Sequence, residues 1–185
     1  MRGKDKIDNR RVRMTKLLLK DALLELMEQQ KLTDITISAI CETADVHRST
    51  FYKHYRDPDD LLKDIIQDIL DRIPKPPQIL NRQDEEQLLR QTTAFFEDVK
   101  QNKRVYQILF SEQAGDIFPA ELMEYLCSGY IPHSDIADET AACFISLYVA
   151  SGTVCMMREW IKAGFPVSSQ KIAEMMYYLS RKIMI

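Results

Sequence analysis

The segment from 48 to 54 concentrates side chains that bind anions and the edges of nucleic-acid bases. Within seven residues it supplies a guanidinium, an ammonium, an imidazole and three hydroxyl groups. Cations and hydroxyls hydrogen-bond to phosphate oxygens, and the same donors contact base edges in a major groove. Its polar residues are Arg48, Ser49, Thr50, Tyr52, Lys53 and His54. This composition suits a helix whose exposed side lies against a polyanion.

The residues before this segment predict a short helix and a tight turn. Thr36 can cap the helix with its hydroxyl, a position that Thr favours. Asp45 and Val46 then interrupt the apolar pattern, and Asp is among the few residues besides Gly that enter the left-handed region of a sharp turn. The apolar stripe follows the spacing i, i+3, i+4 and i+7: Ile37, Ile40, Cys41 and Ala44.

A second helix is predicted from about His47 to Tyr55. Phe51 and Tyr55 lie four residues apart and anchor one face, while the basic side chains point elsewhere. An ordinary amphipathic helical hairpin with a solvated basic face gives the same pattern, because helix-turn-helix spacings of this length arise by chance. The spacing alone leaves both interpretations open.

A longer motif around this helix distinguishes them. The sequence Ser-Thr-Phe-Tyr-Lys-His-Tyr at 49–55, followed by Arg-Asp at 56–57 and Asp-Leu-Leu at 60–62, closely resembles the recognition-helix signature of TetR-family transcriptional regulators. The resemblance covers roughly residues 10–70. It implies an all-α fold, with an N-terminal three-helix helix-turn-helix DNA-binding domain and a larger C-terminal helical domain for ligand binding and dimerisation.

The resemblance also implies a role for each polar residue. Groups at 48–50 lie nearest base edges, groups at 52–54 contact phosphates or bases, and Thr36 presents a capped helix N-terminus to phosphate. His54 could instead hydrogen-bond within the domain, and Tyr52 could partly pack. The predicted DNA-binding residues are Thr36, Arg48, Ser49, Thr50, Tyr52, Lys53 and His54.

The chain is therefore expected to be a homodimeric, sequence-specific transcriptional regulator, and a repressor under small-molecule control. Its expected partners are double-stranded operator DNA, a second copy of the chain and an unidentified effector, with no membrane. Two departures from the family motif, Asp45 for the usual Gly and Pro58 for the usual Lys, favour an alternative. In that alternative the chain is a TetR-like interaction module or co-regulator that needs a partner for DNA binding.

Other functional classes have little support in the sequence. The chain carries no Gly-rich phosphate loop, nucleophile elbow, metal motif or carboxylate pair in an identifiable context, so neither an enzyme nor a cofactor is predicted. The histidines lack metal-ligand spacing. With no Cys-x-x-Cys pair and no signal peptide, a reducing cytoplasm and free, mostly buried thiols are expected. The cysteines are Cys41, Cys127, Cys143 and Cys155.

The charge distribution separates the two ends of the chain. Residues 1–56 carry 12 Lys and Arg against 8 Asp and Glu, whereas residues 57–185 carry 13 against 20. This asymmetry indicates a polyanionic partner for the N-terminal part, although a solvated basic tail gives the same excess.

Three regions are predicted from this organisation. Residues 1–56 form the DNA-binding domain, in which a mobile basic tail at 1–9 precedes a first helix from Thr15. Residues 57–73 form a connecting helix, with Asp57 as its cap and Pro58 at its first position. Residues 74–185 form the ligand-binding and dimerisation domain.

The C-terminal region reads as five helices, and the longest, from about 136 to 163, contains an uncharged run at 141–157. Polar residues within this run and flanking charges argue against a membrane span. A helix apolar nearly all round needs cover from a partner subunit. The resemblance implies a four-helix bundle between subunits and a ligand pocket. Four methionines either line that pocket or fill the core: Met156, Met157, Met175 and Met176.

Overall fold

The computed structural model describes residues 2–75, 82–129 and 138–183, with side chains described for 10–75, 84–128 and 138–179. The described residues form nine α-helices and one short 3-10 helix, with no strand among them. The predicted all-α fold is thus confirmed. Contacts divide the chain into two compact units. Unit 1 comprises Met1–Asp68 with Ser111–Gly115, and unit 2 comprises Ile69–Phe110 with Asp116–Ile185.

Unit 1 is built from three helices and the first part of a fourth. These are α1 (Arg2–Met27), α2 (Ile37–Thr43), α3 (Arg48–Phe51) and α4 (Pro58–Leu70), with the 3-10 helix Leu32–Asp34 between α1 and α2. Apolar side chains at helical spacing meet in one core and are almost completely buried. They are Leu19, Leu23, Met27, Ile40, Phe51, Leu61, Leu62, Ile65 and Ile66.

Two helix boundaries differ from the sequence-based expectation. The helix expected from Thr15 begins at Arg2, because the preceding residues are mostly good helix formers such as Lys and Arg and include no Pro. The helix expected to reach Tyr55 ends at Phe51. Beyond it the amides of Lys53 and His54 donate to carbonyls only three residues back, so the chain tightens into turns.

The start of α4 follows the predicted cap. The amide of Asp60 donates to Asp57 Oδ1 at 2.8 Å, and Pro58 occupies the first helical position, where its missing N–H leaves no bond unmade. The backbone amide of Arg56 in turn donates to the Asp60 carboxylate at 3.0 Å. Two carboxylates of this acidic stretch are therefore engaged in local hydrogen bonds.

Unit 2 contains the end of α4 and five further helices. They are α5 (Arg82–Gln101), α6 (Lys103–Leu109), α7 (Ile117–Gly129), α8 (Glu139–Lys162) and α9 (Ser169–Ile183). Asp138 caps α8, and Ser168 Oγ accepts from the amide of Lys171 at the start of α9.

Aromatic contacts hold α5 against the end of α8. Trp160 packs edge-to-face on Phe96 and on Phe165, with ring centroids 5.5 and 4.8 Å away. Its indole N–H donates to the carbonyl of Val167 at 3.0 Å. Because this nitrogen has a partner, the large indole is buried without leaving a donor unpaired.

Helix α8 is long and apolar enough to span a membrane, judged by length and composition only. One side of it is buried against α6, α7 and α9. The opposite side exposes large apolar residues such as Phe144 and Tyr148, each with 67% of its surface accessible. This division into a buried and an exposed side is typical of a helix in a bundle.

Candidate nucleic-acid interface

The turn between α2 and α3 has the geometry predicted for it. Asp45 adopts a left-handed conformation with φ of 51°. The amide of Val46 donates to the carbonyl of Cys41 at 2.9 Å, which closes a Schellman-type end to α2. Asp at this position therefore forms the turn that Gly usually provides.

Two buried aromatic rings fix the orientation of the segment that follows. Phe51 has no accessible surface and Tyr55 has 4%, with their ring centroids 5.9 Å apart. Tyr52 lies between them in sequence but keeps 61% of its surface accessible. The buried rings thus hold one side of this short segment against the core and leave the other side open.

The structure brings the predicted site residues to the surface of unit 1, though not equally. Thr36 caps α2, because its Oγ1 accepts from the amide of Ala39 at 3.2 Å. Thr50 and His54 are half-buried, and the His54 ring packs edge-on against Tyr55 with centroids 6.3 Å apart. The exposed members of the set are Thr36, Arg48, Ser49, Tyr52 and Lys53.

One residue near the site had no role in the sequence-based prediction. The guanidinium of Arg48 donates to the hydroxyl of Ser38, so a side chain of α3 is tied to the N-terminal half of α2. Ser38 lies ten residues away in sequence, and spacing along a helix gives no signal for such a contact. The bond orients Arg48 at the exposed end of α3.

A polar cluster beneath the site was also absent from the sequence-based prediction. Asp64 accepts from the Tyr55 hydroxyl at 2.6 Å and pairs with Lys16 and Lys20 at 3.2 and 2.9 Å. Lys20 also pairs with Asp68 at 2.6 Å. We call these five residues the Asp64 cluster. It joins α1, α4 and the end of the α3 segment.

The electrostatics of the Asp64 cluster follow from these contacts. Burial raises the pKa of Asp64, but hydrogen bonds from Tyr55, Lys20 and Lys16 outweigh it and lower the pKa to about 2. Burial and the bond to Asp64 raise the pKa of Tyr55, which therefore stays a donor. The cluster had a signal in the sequence, because α1 and α4 each carry like charges four residues apart.

Comparison with known proteins identifies the family. A family model of TetR regulators, described as a transcriptional regulator C-terminal region, matches residues 86–182, slightly more than half of the chain. The chain belongs to the TetR family of transcriptional regulators. Regulators of this family bind operator DNA and are typically dimers.

Individual relatives agree with this assignment. The uncharacterized HTH-type transcriptional regulator YxbF of Bacillus subtilis (strain 168) is 40% identical over 67 residues. That match covers 36% of this chain, and the chain spans only 18% of the length of this curated relative.

Solved structures share the fold at low sequence identity. A TetR transcriptional regulator from Streptococcus agalactiae 2603V aligns with a TM-score of 0.67 at 17% identity, covering 95% of this chain and 98% of its own. The dihydroxyacetone kinase operon activator DhaS aligns with a TM-score of 0.61 at 19% identity, covering 92% and 96%. A TetR-like regulator from Rhodococcus sp. RHA1 aligns with a TM-score of 0.57 at 16% identity, covering 91% and 94%.

The cysteines of the chain are free thiols that differ in exposure. All four cysteines are free, but the expectation of mostly buried thiols is wrong, since only Cys41 is buried. Cys143 and Cys155 are exposed, and Cys127 is half-buried. Within the described parts of the chain no three His, Cys, Asp or Glu side chains are grouped as metal ligands. His133 lies outside those parts.

Proposed function

We propose that this TetR-family chain is a homodimeric, sequence-specific DNA-binding repressor whose operator affinity is controlled by a small molecule. The observation that carries the proposal is the open polar side of the 48–54 segment, anchored from behind by buried Phe51 and Tyr55. A protein of this function works in the cytoplasm. Residues 1–56 form its DNA-binding domain. Residues 57–73 form the helix that connects this domain to residues 74–185, which bind the effector and the second subunit.

The individual contacts follow from exposure and chemistry. Arg48, Ser49 and Thr50 face base edges, and the Arg48 guanidinium exchanges or shares its bond to Ser38 when it meets a base. Tyr52, Lys53 and His54 contact the sugar-phosphate backbone or bases. Thr36, already bonded to the amide of Ala39, presents the start of α2 to a phosphate.

The second subunit covers the open apolar side of α8 and α9. Large apolar side chains are exposed on this side within unit 2, and a group of such side chains on one surface marks an interaction site. Two recognition segments on one operator then read half-sites about 34 Å apart. The residues of this apolar face are Phe144, Leu147, Tyr148, Met175, Tyr178 and Leu179.

The direction of control is open to experiment because a structural neighbour, DhaS, is named an activator. We propose repression, in which the bound dimer blocks transcription and effector releases it. A reporter gene placed behind the DNA that flanks this protein's own gene distinguishes the two. Deletion of the protein raises reporter output if it represses and lowers output if it activates.

A gel shift over a salt series tests DNA binding directly. The purified chain should prefer the flanking DNA over a scrambled duplex. Lys53→Ala should weaken binding to both duplexes and flatten the salt dependence by about one unit for each phosphate that the lysine contacts in the wild type. Arg48→Ala should reduce the preference between duplexes instead. Lys100→Ala, at an exposed position of α5, is the matched control and should change neither.

Two outcomes would contradict this assignment. If Lys53→Ala and Arg48→Ala both leave operator affinity unchanged, the 48–54 segment does not contact DNA. If the wild-type chain shows no preference between the duplexes, the partner-dependent module becomes the better account, as the sequence departures at Asp45 and Pro58 first indicated.

A further inference from the structure

Unit 2 contains a partly open apolar cavity with a volume of about 120 Å³. Four of its helices and the segment at 73–75 line it, and rings and thioethers form much of the wall: Phe95, Phe96, Met157 and Met176. An apolar cavity of about 150 Å³ in another protein binds benzene, so this one accepts a single ring or a short branched chain. Flexible methionines allow the wall to adapt to either.

The charge at the edge of this cavity has one sign. Lys75 is the one charged side chain among the described lining residues, and no Asp or Glu accompanies it there. Its ammonium lies 5.5 Å from the centre of the Tyr125 ring, a cation–π contact that holds it beside the cavity. Asp71 lies close enough to add to burial in raising the pKa of Tyr125, but it is outside the lining.

Two threonine hydroxyls belong to the wall of this cavity. Helical hydroxyls elsewhere in unit 2 donate to a carbonyl four residues back, as Thr93 does to Leu89 at 2.8 Å and Ser151 does to Leu147 at 2.7 Å. Thr92 and Thr153 line the cavity and are half-buried, so their hydroxyls can donate to a molecule bound there. A bound molecule with acceptor oxygens gives them partners.

We propose that this cavity binds a small apolar monocarboxylate, such as an aromatic acid with one ring or a short branched-chain acid. The apolar part lies among Phe95, Phe96 and Met157, and the carboxylate lies toward the Lys75 ammonium. Thr92 or Thr153 donates to a carboxylate oxygen. A cation is disfavoured because Lys75 repels it and no carboxylate among the described lining residues offsets that repulsion. This inference rests on the proposed function, in which the cavity is the effector site.

Binding has a direct optical readout in this chain. The single tryptophan of the sequence, Trp160, packs edge-to-face on Phe96, and Phe96 lines the cavity. A ligand that displaces Phe96 should change Trp160 fluorescence without any DNA present. Calorimetric titration of the full chain gives the dissociation constant independently.

The decisive experiment titrates the wild-type chain at pH 7 with phenylacetate, phenylacetamide and phenethylamine. These probes share a ring and differ in head-group charge. Phenylacetate should bind at least tenfold more tightly than the amide, and the amine should bind weakest. Lys75→Gln should remove the preference for the acid over the amide. Thr153→Val, which keeps the side-chain shape, should weaken phenylacetate about threefold, while Lys162→Gln on α8 serves as control and should change nothing.

The results separate this proposal from the proposed function. Equal affinities for acid and amide in the wild-type chain, or a preference that survives Lys75→Gln, would overturn the carboxylate assignment. The gel shift without ligand tests operator binding, whatever the titration shows. The gel shift repeated with phenylacetate tests whether the ligand changes operator affinity. Tight phenylacetate binding with unchanged operator affinity would support the ligand class and contradict control of DNA binding through this cavity.

Discussion

The two units differ in the interactions that shape their candidate binding surfaces. In unit 1 the 48–54 segment is held from behind by buried rings and by the Asp64 cluster, in which each charge has a partner within 3.2 Å. In unit 2 the interior keeps an apolar cavity, and the surface of α8 and α9 exposes apolar side chains. Fixed hydrogen bonds specify one geometry, whereas apolar surfaces accept partners of several shapes. The proposed contact with DNA and the proposed binding of an effector and a second subunit therefore belong to separate units of this chain.

The largest expected effect comes from a substitution in the apolar face of unit 2, which should separate the two subunits. Gly152→Glu places a charge on the exposed side of α8, where an added Cβ meets no atom within 4 Å. The helix should remain intact, since Glu is a better helix former than Gly. Light scattering should report the 21.6 kDa chain mass for this variant and about twice that mass for the wild type. Operator binding should be lost at the same time.

A matched substitution on another helix controls for the added charge. Ala120→Glu changes a small exposed residue of α7 in the same way and should leave the dimer intact. A Gly152→Glu chain that remains dimeric would show that subunits associate through some other surface.

The next largest effect is expected from a substitution that removes the central carboxylate of the Asp64 cluster in unit 1. Asp64→Ala removes one of the two carboxylates paired with the largely buried Lys20, which keeps Asp68 and the backbone carbonyl of residue 64. It also leaves the Tyr55 hydroxyl without its carboxylate acceptor. The free energy of unfolding should fall by about 2–3 kcal/mol, because unpaired buried polar groups lose their compensation. Urea denaturation followed by circular dichroism measures it. Asp59→Ala, at an exposed position of the same helix, should cost about 0.5 kcal/mol or less.

Acid should weaken unit 1 through the same carboxylate. The pKa of Asp64 in the folded protein is about 2, below its usual 3.8. A depressed pKa contributes stability that is present above about pH 4 and is lost as pH falls toward 2. The contribution should be on the order of 1 kcal/mol after solvent screening. In Asp64→Asn this part of the acid sensitivity should disappear, and an unchanged pH profile would mean that Asp64 titrates normally.

The smallest effect is expected from a substitution at Pro58, which tests whether the start of α4 contacts DNA. Pro58→Lys adds the cation that the family usually has there, next to exposed Asp59. Affinity for any DNA should rise by about 1 kcal/mol or less per subunit, with a steeper salt dependence. Pro58→Ala controls for the loss of the ring. If lysine and alanine behave alike, the missing cation is immaterial to this protein.

Local physical chemistry determined much of unit 1 from the sequence alone. The cap by Thr36, the left-handed Asp45 and the start of α4 at Pro58 depend on residues within a few positions of one another. The buried anchors Phe51 and Tyr55 followed from their spacing of four residues. The all-α fold followed from helical periodicity and from the resemblance. The roles of individual residues in DNA contact stay predictions.

The features that the sequence did not predict join residues far apart in the chain. Ser38 meets Arg48 across the turn, and Lys20 meets Asp64 across a separation of 44 residues. The resemblance implied a ligand pocket, but the residues that line the cavity of unit 2 depend on how four helices leave space between them. The exposure of Cys143 likewise depends on how far its neighbours cover α8. Periodicity shows that a helix has a buried side, but the partner that buries it is chosen only when the helices pack.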